Sequence, residues 1–149
     1  MATPRGKYLP LSLARRIIGE FLDLSRSIPL AHGERRLELR ALRDAVALAR
    51  PRPSWLSIFF KAYACVAARR PVLRRLYLTY PWARLYEHPI NVGSIVIARK
   101  VEDEDALLYV PIRFPEQRSL SDLEALIAHF RQVPLLEVKA FRRQIRLAK

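Results

Sequence analysis

Two β-branched-rich runs, Ile90-Asn-Val-Gly-Ser-Ile-Val-Ile97 and Leu107-Leu-Tyr-Val-Pro-Ile-Arg-Phe114, constrain this chain more than any other feature. Each has the length and composition of a strand, and the polar, acidic connection between them is short enough to return the chain antiparallel to itself. The reading is a central antiparallel pair. Pro111 lacks the N–H that a ladder position on the inner side of a sheet must donate, so the second run is expected to form an edge or to carry a bulge there.

Helical patterns surround this pair. Ser12 can cap a helix over about 12–25, with Leu13, Ile17, Phe21 and Leu24 at three- and four-residue spacing. Ile28-Pro29 opens an extended segment to about Arg36, read as a strand, because Pro29 bars helix continuation. From Leu37 the stripe Leu39, Leu42, Val46, Ala49 gives a second helix that stops before Pro51. A third spans about 54–70, capped by Ser54 and ended by Arg69-Arg70-Pro71. It is so apolar, with Lys61 the main exception, that it should lie against the middle of a sheet. Short strands are expected over Leu73 to Tyr80 and Arg84 to Glu87 around Pro81. Ser119 and Ser121 compete to cap a fourth helix carrying Leu123, Leu126, Ile127 and Phe130. After Pro134 a last helix, with Leu135, Val138, Phe141 and Ile145, ends in a basic block.

At 149 residues and 51% hydrophobic content the chain reads as one globular domain, 1–149. No apolar run reaches the roughly 18 residues that span a bilayer, and Met1 to Pro10 lacks the apolar centre of a secretory signal, so a cytoplasmic location is expected. The single Cys65 excludes an internal disulfide, and three scattered histidines give no metal-ligand cluster. The net charge of +13 invites polyanions, and its excess lies early: residues 1–75 carry 16 basic and 5 acidic side chains, residues 76–149 carry 11 and 9.

The succession Arg15-Arg16, Ile28-Pro29, Leu39-Arg-Ala-Leu-Arg43, Phe60-Lys-Ala62, Ile90-Asn-Val-Gly93, Val110-Pro-Ile-Arg113 and Ser119-Leu120 resembles the catalytic domain of the dihydrolipoamide acyltransferases of 2-oxoacid dehydrogenase complexes. The resemblance runs from about Ser12 to Gln132. It implies an α/β, chloramphenicol-acetyltransferase-like fold, a mixed sheet covered by helices, here without its C-terminal strands. It implies a coenzyme A thioester as substrate, with no covalently bound cofactor, and a trimer as the assembly. In that family a His of an H-x-x-x-D-G motif takes the thiol proton and a hydroxyl stabilises the oxyanion. Four residues after His32, His88 and His129 stand Arg36, Val92 and Val133, so the motif is not present and no catalytic residue is assigned. The chain reads as a fragment or an inactive relative. Two further departures are Leu30 after the Ile-Pro, where the family often has a His, and an insertion over Arg99 to Asp105, where it has a short Gly-containing turn. No lipoyl domain precedes the domain, so a stand-alone protein is expected.

Few side chains remain as candidates. His32 and His88 read as loop or turn residues and His129 as a helix-boundary residue. The cluster Arg15, Arg16, Arg35, Arg36, Arg40 and Arg43 can attract coenzyme A phosphates, because guanidinium binds phosphate bidentately, but reads more simply as a solvated face. Asn91 and Gly93 match family positions, the glycine more simply as a point of close packing. The terminal helix, with Arg142, Arg143, Arg146 and Lys149 opposite its apolar stripe, either covers core or lies on an anionic membrane. The alternative function is therefore a non-catalytic basic module binding anionic membrane or nucleic acid, although no helix-turn-helix, zinc spacing or basic-aromatic sheet motif is present.

Overall fold

The computed structural model describes residues 10–26, 28 and 32–148. Ser12 lies just before α1 (Leu13–Arg26) and accepts a hydrogen bond from the Arg15 N–H at 3.3 Å. Leu13, Ala14 and Ile17 of that helix are buried, whereas Phe21 is 42% exposed. Of the strand expected from Ile28, Pro29 to Ala31 lie outside the described residues, and the remainder is not a strand: residues 32–39 have no regular structure and are almost wholly exposed. A run containing Gly33, Glu34, Arg35 and Arg36 has no apolar alternation with which to hold a sheet register. The second helix, α2 (Arg40–Leu48), starts three residues later than its stripe implies and turns Val46 inward.

The third, α3 (Trp55–Arg69), begins where Ser54 accepts the Ser57 N–H. It does not lie against the middle of a sheet. Its inner side, with Ser57, Ala64 and Ala67 buried, rests on the turn after the fourth strand and on the fourth helix, while Trp55, Phe59, Tyr63 and Val66 remain 41–61% exposed. High apolarity all round was the signal; small residues on only one side define the contact.

Two short strands follow, β1 (Arg75–Leu78) and β2 (Arg84–Glu87), paired antiparallel as a hairpin of their own. The central pair is β3 (Val92–Val101) and β4 (Glu104–Arg113), in unbroken antiparallel register from Val92 opposite Arg113 to Val101 opposite Glu104. The chain is thus mixed α/β, but its described strands form two separate two-stranded antiparallel sheets rather than one mixed sheet. The supposed insertion over Arg99 to Asp105 is mostly ladder. Only Glu102 and Asp103 form the turn, at φ of 52° and 64°, the left-handed pair that a two-residue hairpin loop demands.

Alternation decides which face of the pair is core. Ile95, Ile97 and Val101 of β3 and Ala106, Leu108, Val110 and Ile112 of β4 point to one side and are at most 5% exposed. They pack with Leu13 and Ile17 of α1, with Leu123 and Ile127 of α4 (Leu120–Gln132), and with Phe141 and Ile145 of α5 (Lys139–Leu147). Phe141 is fully buried, so the apolar stripe of the terminal helix is core cover. Helix α4 starts at Ser119, not Ser121: the Ser119 hydroxyl accepts the Asp122 N–H at 3.0 Å, and Asp122 accepts the Ser119 N–H at 3.2 Å, a reciprocal capping box. No described helix is long and apolar enough to cross a membrane.

Polar clasps tie these layers together. Buried Asn91 donates to the Ala64 carbonyl and to Glu116, each at 2.9 Å, linking α3 to the segment after β4. Lys61, the polar exception in α3, donates to the carbonyls of Glu116 and Arg118. Gly93 is where Phe60 crosses the strand: a Cβ there would stand 2.5 Å from the ring, so this position carries no side chain because two layers touch.

Candidate functional site

The edge of β4 is engaged at its middle by a side chain from outside. Gln144, in the middle of α5, accepts the Tyr109 N–H and donates to the Tyr109 carbonyl, both at 2.8 Å, and donates to its own helix at Ala140. The amide imitates a neighbouring strand and fixes α5 alongside β4. This juxtaposition creates a cleft of about 680 Å³ between the strand and the start of the helix.

Tyr109, Pro111, Phe130 and Val138 supply its apolar lining, and three cations line it as well: Arg113 at the end of β4, and Lys139 and Arg143 on the first turns of α5. No carboxylate lines the cleft. Three positive charges with no local counter-charge, two of them by a helix start where free N–H groups also point outward, make a region of positive potential. The two arginines present guanidinium forks suited to phosphate oxygens. A volume near 700 Å³ lies within the range of roughly 300–1,000 Å³ usual for ligand sites. Burial pushes the Tyr109 phenol above its ordinary value, which already leaves a tyrosine a neutral hydrogen-bond donor at neutral pH. Neither His, Cys, Asp nor Glu lines the cleft, so it offers cation contacts and hydroxyls from Ser94 and Tyr109 but no general base of ordinary pKa.

The early arginines are not brought together. Arg15 borders a different cleft, of about 620 Å³, in the company of Glu104 and Asp105, and its guanidinium lies 3.6 Å from Glu104. Arg16 borders a third with Glu102. Arg40 and Arg43 line a fourth, beside Glu38 and Trp55, and Arg43 pairs with Asp44 at 3.5 Å. Arg35 and Arg36 are exposed in the irregular segment. Each cleft holding one of these arginines also holds a carboxylate, which repels phosphate.

The histidines are also dispersed. His32 is exposed in an irregular segment, His88 turns its Nδ1 to the Ile90 carbonyl at 2.7 Å, and His129 lies against the Phe130 ring near the end of α4. Among the described residues no group of His, Cys, Asp or Glu is placed to hold a metal ion. Cys65 is half-buried on α3. Asn91 and Gly93 are occupied in packing, and of the terminal basic block Lys139 and Arg143 reach the cleft, Lys149 lying outside the described residues. Arg113, Tyr109 and Gln144 escape sequence reasoning because the cleft joins two elements far apart in the chain, β4 and α5. The one signal was Gln144 itself, an uncharged amide among arginines on a helix that otherwise alternates apolar and basic.

Compared with models of known protein families, with curated proteins and with solved structures, the chain gives no match.

Proposed function

We propose that this chain is a coenzyme A-dependent acyltransferase-like protein of chloramphenicol-acetyltransferase-like architecture, trimeric and cytoplasmic, which binds an acyl-coenzyme A and does not itself carry the catalytic histidine. The observation that carries the reading is the β4–α5 cleft, where Arg113, Lys139 and Arg143 surround an apolar and aromatic floor. Coenzyme A needs that pairing, since its phosphates require cations and its adenine and pantetheine arm require contact surface. The order of short motifs that resembles the dihydrolipoamide acyltransferases supports the same substrate class. A cleft without a histidine or carboxylate supports a binding role, with the base that acyl transfer requires supplied from elsewhere.

Calorimetric titration of coenzyme A at 150 mM salt is the test. Saturable binding is expected, weakened about tenfold by Arg113→Ala or Arg143→Ala, as removal of one charge-assisted contact implies. No acyl transfer is expected from this chain alone. Equal affinity for any polyanion, collapsing steeply as salt rises and indifferent to these two substitutions, would replace the reading with that of a basic polyanion-binding module.

A further inference from the structure

Gln144 has a second side. The amide that closes the cationic cleft also borders, together with Tyr109, a neighbouring cleft of about 480 Å³ lined by Ile17, Phe21, Leu147 and Ala148, with Glu20 as its one charged residue among the described residues. Tyr109 and Gln144 are common to both clefts. Held by three hydrogen bonds, Gln144 is a fixed partition between a cationic basin and an apolar one.

The apolar basin is built rather than incidental. Phe21 lies with its ring 4.9 Å from that of Tyr109, yet remains 42% exposed, and Leu147 is 71% exposed. Two large apolar side chains left in water at the mouth of an apolar depression lose nothing structural if they are covered, and gain the transfer free energy when they are. The charges fit the same polarity. The three cations stand on one side of the partition, and the carboxylate of Glu20 on the other, where it disfavours an anionic head group.

We infer that the ligand is amphipathic, an acyl-coenzyme A of medium or long chain whose phosphates occupy the Arg113–Lys139–Arg143 cleft and whose acyl tail crosses the Tyr109–Gln144 partition into the Ile17–Phe21–Leu147 cleft. This deepens the coenzyme A reading and rests on it. The substrate class follows from two adjoining surfaces of opposite character, which a short acyl group such as acetyl would leave half used.

A chain-length series on the unmodified protein is the test: coenzyme A, acetyl-, butyryl-, octanoyl- and decanoyl-coenzyme A below their aggregation concentrations, with free decanoate as the tail-only arm. Affinity should rise with length, by up to about fourfold for each methylene buried, and decanoyl-coenzyme A should bind at least 30-fold more tightly than acetyl-coenzyme A. Leu147→Asn and Phe21→Asn, both at exposed positions, should remove most of that gain and leave coenzyme A itself unchanged. Coenzyme A binding with no dependence on length overturns this inference while the cofactor reading stands. Binding of no thioester at all removes both. Decanoate held as tightly as its thioester, and indifferent to Arg113→Ala, overturns the inference by making the two clefts independent.

Discussion

The two edges of the β3–β4 hairpin are treated oppositely. Phe114 donates to the Asn91 carbonyl at 2.9 Å, so the ladder runs through alternate residues, and the free backbone groups of Asp105, Leu107, Tyr109, Pro111 and Arg113 on β4, and of Val92, Ser94, Val96, Ala98 and Lys100 on β3, point outward. On β4 the middle of the edge is managed: Gln144 takes both groups of Tyr109, Pro111 has no donor to leave free, and Arg118 donates to the Arg113 carbonyl at 3.4 Å. Pro111 therefore sits in unbroken register opposite Ser94, without a bulge. On β3, among the described residues, no strand or side-chain amide meets the outward groups. The β4 edge is interrupted at its middle, whereas the β3 edge can accept a further strand along its length, and exposed Val92 and Val96 make that edge an association surface.

The contrast can be broken by moving a proline. Val110→Pro removes a ladder donor and strains a buried position, and should cost about 3 kcal/mol or more; Val96→Pro, on the outward phase of β3, should cost less than about 1 kcal/mol. Urea denaturation of both variants checks this, and equal losses would show that the two phases are assigned wrongly. Next in size, Gln144→Ala leaves the Tyr109 N–H and C=O without partners and should cost about 2 kcal/mol. Its sharper readout is association: sedimentation should show faster self-assembly than the parent, because the β4 edge then loses the side chain that interrupts it.

A site remote from both edges provides the control. Burial works to raise the Glu124 carboxyl, but hydrogen bonds from the Ser54 and Ser57 hydroxyls and the Ser54 N–H, helped by Arg131, bring it below its ordinary value. A carboxyl depressed in the folded state contributes stability that is fully present above its unfolded value, roughly 4.3, and lost as pH falls through the lower folded one. Glu124→Gln should therefore be less stable than the parent at pH 7, by about 1 kcal/mol, and converge with it near pH 3. Denaturation midpoints across that range measure it, and neither edge variant should change the shape of the curve. The last effect is a gain. Glu102 and Asp103 both hold left-handed backbone without being glycine, so Asp103→Gly should stabilise by about 1 kcal/mol, read as a rise in melting temperature.

Sequence reading succeeded where the signal was local. Ser54 and Ser119 cap their helices through residues three positions on, and the strand pair announces itself by β-branched residues in alternation. It failed where a boundary depended on what lies across the fold. The acidic residues Glu102 to Asp105 look like a loop by composition, yet Glu104 and Asp105 continue the ladder because Val101 and Ala106 need their places in the core. Helix α3 looked buried on all sides, since hydropathy records apolarity and not what is available to cover it. The cationic cleft was illegible because Tyr109 and Gln144 are 35 residues apart, and only a hydrogen bond between strand edge and helix brings Arg113 near Lys139.

Arg99 carries a final consequence. Its guanidinium reaches from the core face of β3 to the carbonyls of Phe130 and Val133, at 2.9 and 3.0 Å, where α4 ends and its last carbonyls have no helical donors. A strand displaced by one residue would swing this cation to the opposite face and leave the end of the helix bare. The arginine thus acts as a proofreader of alignment: it is satisfied in one pairing and stranded in its nearest competitor, and it supplies a check that the nearly uniform Ile and Val residues around it cannot make for themselves.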